Sequence, residues 1–428
     1  MAPGAGSAGR RLKMEKCPVR CKGGWSLKAI RRYLKTTDKL YLFLCIACSL
    51  FGVLVLVSVG KYIEGGFQYN SLTGERSLGG YKDALVQAMA FGLGLVCAIV
   101  LSCIDYRALA RLWPLHVAVT WGLVLLTLVL HNFQIAGFTI GYAPSNTTNY
   151  SWILMPGGIS IQPTELAKIS FILTLAMHLD NVRERINQPV ELLKVLAHIL
   201  VPVLVVHQQG DDGTAIVFAA IGCMMLFCAG LSWKYIAGGF GVLGLGLVGL
   251  VLLFPDKLKG YQLDRIIALF DPDNPDPLIQ DTIRQQKRGR TAIGAGQIFG
   301  RGLFGEKHTR VIKAENDFVF SYMAECIGFV GCAIVLGALF TIAIRTLVIG
   351  LHSNGRMGMY ICAGVFATIA WQIIINLGMN LMLLPVIGVT LPFFSAGGTS
   401  VLMLYLCVGL VLSVYRHERF GGRRSASL

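Results

Sequence analysis

Three short stretches of this sequence bring together side chains that could move protons. In "IQPTELAK", Glu165 and Lys168 stand three residues apart, which puts them on one face of a helix. In "ENDFVFSYMAE", Asp317 opens an apolar run and Glu325 follows about two helical turns later. In "HQQGDDGT", His207, Asp211 and Asp212 stand just ahead of another apolar run. Carboxylates beside a lysine or histidine suit general acid–base chemistry, because each partner sets the charge state of the other. A plainer reading competes for single residues: an acid in the first turn of a helix meets backbone N–H groups and the positive dipole end, worth about 1 kcal/mol. It covers Asp317 as an N-cap, and Glu165 after Pro163. It does not cover Lys168 and Glu325, which lie deeper in their apolar runs. An ionised group at mid-bilayer costs roughly 2.5 to 3.5 kcal/mol, so such groups pair and face a cavity. Together these residues form a ring at or beneath one surface, an outward-facing polar cavity.

The elements that must position this ring are membrane helices. The chain has 428 residues, 54% hydrophobic and only 14% charged, with mean hydropathy +0.63, where a soluble domain carries about 25% charged residues. Apolar runs recur along its whole length, at roughly 40–60, 84–104, 114–131, 165–180, 191–206, 213–231, 235–254, 318–345, 359–383 and 398–415. The expected fold is therefore all-α and polytopic, with about ten transmembrane helices. The fourth and fifth runs are short. Residues 1–39 form a basic arm, 40–415 the membrane domain and 416–428 a tail.

Lys and Arg are retained on the cytoplasmic side of short loops, which orients the chain. The arm carries Arg10, Arg11, Lys13 and further cations as far as Lys39, so it stays inside. Ten spans also place Arg107 and Arg111, Arg183 and Arg185, Lys234, Arg345 and Arg356, and Arg416 and Arg419 inside. The arm either touches cytoplasmic partners or anionic membrane lipid, or is simply a solvated tail. About forty polar residues precede the first apolar run, which reads as an uncleaved anchor.

Two outward segments, roughly 132–164 and 255–317, are too long to be mere connectors. The second mixes nine acids with a small excess of cations, among them Arg265, Arg284 and Arg288. Such cations either decorate a solvated surface or gather a phosphorylated lipid headgroup. Nucleic acid is not expected as a partner, because this face looks away from the cytoplasm and lacks interleaved aromatics. "DPDNPDP" at 271–277 reads as a Pro-punctuated turn rather than a calcium loop, lacking the Gly and distal Glu. In "AIGAGQIFGRG", Gly294, Gly296, Gly300 and Gly302 permit close backbone approach or unusual dihedrals, with no strand before or GK[ST] after to make a nucleotide loop. The twelve cysteines lie in the arm or within spans, and the eight histidines show no ligand spacing, so no protein-only metal site is expected.

At these stretches the chain resembles the SEDS family of bacterial membrane glycosyltransferases, which includes RodA, FtsW and SpoVE. "IQPTELAK" resembles the family's QPSE-x-x-K, "QQGDDGT" its QPDLGT, and "YQLDRIIALFDPDNPDP" its YQ-x-x-R…DP-x-x-DP. "AIGAGQIFGRG" resembles AIGSG-x-x-GKG, and "ENDFVFSYMAECIGFVG" resembles HTDFIF…AEE-x-G-x-x-G. "GMNLMLLPVIGVTLPFFSAGGTS" resembles the signature ending GVPLPF-x-SYGGSS. Six motifs in order cover nearly everything after residue 40. The chain departs from the pattern at Ser151 (usually Arg), Glu315 (His), Asn316 (Thr) and Ala396 (Tyr), and in "IRQQKRGR", where Arg284 and Arg288 replace Tyr and Gln.

The resemblance implies polymerisation of lipid II into glycan strands at the outer face of the bacterial cytoplasmic membrane, with a class B penicillin-binding transpeptidase as partner. The family's essential aspartate falls on Asp317, and its Glu and Lys on Glu165 and Lys168. Asp317 is then expected as general base, with Lys168 tuning it and Glu165 orienting Lys168. Gln162, Asp211, Arg265, Glu325, Ser395, Gly397 and Gly398 are the expected substrate-binding residues. No cofactor is required by the residues, although a divalent cation, Mg or Mn, could assist departure of pyrophosphate. Membrane-embedded charges also fit a lipid II flippase or another proton-coupled carrier of lipid-linked substrates.

Overall fold

The computed structural model describes residues 27–421 apart from 63–67, 70–75, 78, 144–148, 157, 240, 242–266, 268, 272, 274–275 and 306–307. The chain divides into two units, residues 1–36 and 37–428. In the first, a short basic helix α1 (Leu27–Thr36) is described, with the Thr36 hydroxyl donating to the Tyr33 carbonyl at 3.1 Å.

The second unit is a helical bundle. Its helices are α2 (Lys39–Tyr62), α3 (Lys82–Cys103), the short α4 (Tyr106–Arg111), α5 (Trp113–Val129), α6 (Pro163–Val182), α7 (Pro189–Gln208) and α8 (Asp212–Cys228). Then come α9 (Pro277–Gly296), α10 (Val319–Leu351), α11 (Arg356–Asn380) and α12 (Gly398–Gly421). Six of these are long and apolar enough to cross a membrane, and α5 and α8 are shorter apolar helices. The bundle is thus that of a multi-pass membrane protein. Nine of the ten expected spans coincide with helices among the described residues; the remaining one, 235–254, lies mostly outside them.

Helix α6 explains how a membrane protein tolerates Glu165 and Lys168. It is wrapped by α5, α7, α8, α11 and α12, and most of its length is buried. A helix enclosed by other helices presents little surface to lipid, so its charges need only a partner inside the protein. Close approach in the bundle depends on small residues. A Cβ on Gly364 of α11 would touch the Ile172 side chain at 3.0 Å, and one on Gly52 of α2 would meet the Phe393 carbonyl oxygen at 2.3 Å.

Among the described residues, strands lie in the connections between helices, where water can satisfy their edges. Residues 132–161 carry a four-stranded antiparallel sheet in sequential order, β3 (Phe133–Ile135), β4 (Phe138–Tyr142), β5 (Trp152–Leu154) and β6 (Ser160–Ile161). Two earlier short strands, β1 (Gln68–Tyr69) and β2 (Arg76–Ser77), form a separate pair. The second outer segment contains α9, which lies along α10. A Cβ on Gly296 would sit 2.0 Å from the Ala324 carbonyl oxygen, and one on Gly289 2.8 Å from the Phe318 ring.

At the cytoplasmic end, Glu418 is nearly buried. It accepts from the Tyr106 hydroxyl at 2.5 Å, from Arg107 and from the Asn354 N–H. Burial and then Glu418 push the Tyr106 hydroxyl up from its ordinary value. A cleft of about 560 Å³ opens here, lined by Asp38, Arg345, His352 and Arg419 among others. It lies at the opposite end of α10 from Asp317.

Candidate active site

Gln162 occupies the N-cap of α6 and Pro163 its first turn, so Glu165 sits where unpaired N–H groups and the dipole favour a carboxylate. Its main partner is nevertheless a side chain. Lys168 Nζ donates to Glu165 Oε1 at 2.7 Å, with both side chains buried, and Glu165 Oε2 accepts no hydrogen bond among the described residues. The spacing of three read from sequence therefore does form an ion pair.

Asp211 caps the neighbouring helix. Its Oδ1 accepts the Thr214 N–H at 3.1 Å, and its Oδ2 accepts Gln162 Nε2 at 2.6 Å and the Ser151 hydroxyl at 3.5 Å. Burial pushes its carboxyl above the ordinary range. The Thr214 bonds oppose this, Glu165 adds to it and Lys168 reduces it. Gln162, Glu165, Lys168 and Asp211 thus form one electrostatic group, tied to β5 through Ser151. His207 and Asp212 pair beside it at 2.6 Å, on the surface.

Asp317 is the last residue but one of the turn of residues 312–318, in which Lys313 adopts φ +56°. The cap position of α10 is Phe318, with no side-chain bond to the helix start, so the N-cap reading of Asp317 does not hold. Instead its backbone is held. The Asp317 carbonyl accepts Asn376 Nδ2 at 3.0 Å and Asn380 Nδ2 at 2.9 Å, both from α11. The Asn380 carbonyl oxygen of the side chain in turn accepts the Ser321 N–H and hydroxyl. The Asp317 side chain is only 10% exposed, beside Lys313 Nζ at 3.9 Å. Burial pushes the carboxyl of Glu315 up; its own N–H opposes this, Asp83 and Asp317 add to it, and Lys313 reduces it.

The segment Phe393–Thr399 links these parts. The Ser395 hydroxyl donates to the Asn316 carbonyl at 2.7 Å and accepts the Leu391 N–H, and the Ala396 N–H donates to the Glu315 carbonyl at 2.7 Å. The Gly397 N–H donates to Gln87 Oε1 at 3.3 Å, Gly398 begins α12, and the Thr399 hydroxyl accepts the Gln162 N–H at 3.3 Å. One segment therefore contacts the turn bearing Asp317, the helix start bearing Glu165, and α3. Ser395 and Gly397 are placed here as scaffold for the site.

Glu325 takes a different place. It is fully buried one turn above a break in α10 and pairs with Arg301 Nη1 at 3.0 Å, while both its oxygens accept the Thr309 N–H and Oε1 also accepts the Thr309 hydroxyl. The break is Gly328, at φ +65° and ψ −171°. The "AIGAGQIFGRG" stretch docks on it backbone to backbone: Arg301 and Gly302 donate to the Glu325 and Cys326 carbonyls, and Phe329 and Val330 donate to those of Gln297 and Ile298. A Cβ on Gly300, at φ +81°, would lie 2.3 Å from the Cys326 carbonyl oxygen. Gly296 and Gly300 serve close backbone approach and Gly300 and Gly302 adopt positive φ, so both expected uses occur, while Gly294 faces open space; Glu325 anchors the outer loop rather than lining the turn at Asp317. Arg265 lies outside the described residues, as does most of "YQLDRIIALFDPDNPDP".

Asn376, Asn380, Gln87 and Thr399 were missed by sequence reasoning. Asn376 and Asn380 had a signal: amides four residues apart on an otherwise apolar helix must find buried partners. Among the described residues no three His, Cys, Asp or Glu side chains converge to hold a metal. Glu315 and Asp317 supply oxygens suited to a hard cation, but Lys313 stands against them.

Residues 38–420 match the protein family described as Cell cycle protein, FtsW/RodA/SpoVE. The chain is 29% identical over 381 residues to the probable peptidoglycan glycosyltransferase FtsW of Trichlorobacter lovleyi, covering 88% of this chain and 92% of that one. It is 29% identical over 338 residues to stage V sporulation protein E of Bacillus subtilis, covering 78% and 87%. Among solved structures, it resembles a chain from a study of how a peptidoglycan synthase complex coordinates polymerization and crosslinking, with TM-score 0.69, 26% identity, and 90% and 99% of the two chains covered. It also resembles the rod shape determining protein RodA of Thermus thermophilus, with TM-score 0.58, 27% identity, and 89% and 97% covered.

Proposed function

This chain belongs to the FtsW/RodA/SpoVE family of cell cycle proteins, and on that premise we propose that it is a peptidoglycan glycosyltransferase that polymerises lipid II at the outer face of the bacterial cytoplasmic membrane. The observation that carries the catalytic assignment is Asp317: its backbone is fixed by two asparagines and the neighbouring Ser395 bond, while its carboxylate, not wholly buried, stands beside Lys313. A base held in this way loses little freedom when it meets substrate.

In the proposed reaction, Asp317 removes the proton from the GlcNAc 4-hydroxyl of an acceptor lipid II. That oxygen forms a bond to the anomeric carbon of the donor MurNAc, the bond from that carbon to the pyrophosphate oxygen breaks, and undecaprenyl pyrophosphate leaves with the electron pair. Configuration inverts. A positioned base contributes about 10² to 10⁴ in rate. Lys168, with Glu165 holding it, supplies positive charge within the protein for the anionic parts of the site. Cations of the outer segment, Arg265 among them, are proposed to meet the pyrophosphate.

The test is Asp317→Asn, purified in detergent and supplied with lipid II. Glycan formation should fall about 10²-fold or more with folding intact. Near wild-type polymerisation would remove Asp317 as the base. A proton-coupled flippase would need sealed vesicles and yield no polymer, so polymer formed in detergent separates the two readings. We extend the proposal to a class B transpeptidase partner, supported by the likeness to a chain of a synthase complex that couples polymerization with crosslinking. Co-purification tests it.

A further inference from the structure

A second cavity lies away from these residues, on the membrane-facing side of the bundle. Helices α5 and α7 both pack on α6, and between them is a groove of about 530 Å³. Trp113 and Trp121 of α5 line one wall, Lys194, Ala197 and His198 of α7 the other, and Thr174 of α6 contributes from below. Its volume is that of a small-molecule site.

The lining places the groove in one leaflet. Trp113 begins α5 and Lys194 lies near the start of α7, at the ends flanked by Arg111 and by Arg183 and Arg185. Those cations mark the cytoplasmic side. From Trp113 to Trp121 is about 12 Å of helix rise. This is close to half of a hydrocarbon core of about 30 Å. The groove therefore opens at the cytoplasmic headgroup level and ends near the bilayer midplane.

Its chemistry is graded. The inner part is apolar apart from one polar line, in which Thr174 shares a 3.2 Å hydrogen bond with His198 Nε2, and the other ring nitrogen of His198 lies 3.1 Å from His178 Nδ1. At the mouth, Lys194 Nζ lies 3.1 Å and Arg185 Nη1 4.0 Å from the same Glu191 oxygen. Two cations share one carboxylate, so the mouth keeps a positive excess. Trp113, 49% exposed, stands at the same level, where indole rings favour the membrane interface. An extended peptide would leave polar backbone in the apolar part of this groove, whereas a hydrocarbon chain has none to satisfy.

We propose that this groove binds one anionic phospholipid of the cytoplasmic leaflet, with an acyl chain between α5 and α7 and its phosphate on Lys194 and Arg185. Basic pockets between helices on this side recognise such headgroups. The site is independent of the polymerase reading.

The experiment reconstitutes the full chain in vesicles containing phosphatidylglycerol with a photoreactive group midway along an acyl chain, and maps the labelled residues after illumination. Labels should concentrate on residues 113–121 and 194–201, and unlabelled phosphatidylglycerol should compete better than phosphatidylcholine. Lys194→Gln, at an exposed position, should lower labelling about fivefold. Ala197→Trp should fill the groove and abolish labelling with helix content unchanged by circular dichroism. Labels spread evenly around the bundle, equal competition by phosphatidylcholine, or a co-purified membrane peptide crosslinking there in place of lipid would each overturn the proposal.

Discussion

The Ser395 hydroxyl donates to the carbonyl of Asn316 at 2.7 Å, one residue ahead of Asp317, while accepting the Leu391 N–H at 2.8 Å. One small side chain on the loop before α12 thereby fixes the backbone that presents the carboxylate proposed as base. Ser395→Ala strands a part-buried carbonyl and a buried N–H, a cost of about 1 to 3 kcal/mol. Ser395→Thr keeps the hydroxyl. The expected result is a polymerisation rate at saturating lipid II about tenfold lower for alanine, from loss of positioning rather than of chemistry, with partial recovery in threonine. Rates that are equal for wild type and alanine would remove Ser395 from the positioning of Asp317.

For the pair inside α6, removing one partner should cost much more stability than removing both. Glu165→Met leaves Lys168 buried without a counter-charge and is expected to destabilise by about 3 to 5 kcal/mol. Glu165→Met combined with Lys168→Met should regain most of that loss in a thermal melt. Polymerisation should stay low in both. A double variant with wild-type activity would show the pair to be packing alone.

Glu325 is expected to matter for stability more than for turnover of folded enzyme. Glu325→Gln weakens the contact with Arg301 and the acceptance of the Thr309 N–H. The loss is about 2 kcal/mol, below the figure for a fully buried pair because Arg301 is half exposed. The readout is a lower melting temperature with rate per folded molecule within about threefold of wild type. A large rate loss in a fully stable protein would place Glu325 in the chemistry instead.

Glu315 gives a pH signature. Its raised carboxyl means that the folded protein binds this proton more tightly than the unfolded chain does. The associated stability is complete below the ordinary value of 4.5 and is lost as pH rises through the elevated folded value. Glu315→Gln imitates the protonated form, so it should melt higher than wild type at neutral pH. The difference should close as the medium is acidified towards 4.5. A constant difference across that window would show that the ionised form carries no penalty.

Much of this arrangement was legible from residues alone, for physical reasons. Glu165 and Lys168 were readable because helical geometry fixes which residues three apart can meet. The glycines from 294 to 302 were readable because a missing side chain signals close approach or an unusual dihedral. Other features depend on contacts between distant segments. Nothing local to Ser395 or Asn380 says that they hold residues 316 and 317, since the partners are 79 and 63 residues away. Glu325 looked like a member of the polar ring because depth along α10 was visible and its orientation was not; its partners, Arg301 and Thr309, come from the outer loop. The four-stranded sheet at 132–161 was unforeseen because its strands are too short for alternation to stand out.

Helix α10 changes its backbone course at Gly328, and the outer loop is stitched to it on both sides of that point. The stretch 319–327 is accordingly a short post mounted on extramembrane backbone. If a thicker or thinner bilayer tilts the long remainder of the helix, the bend at Gly328 absorbs the change, and the carboxylate at the top keeps its register with the surface where sugars arrive.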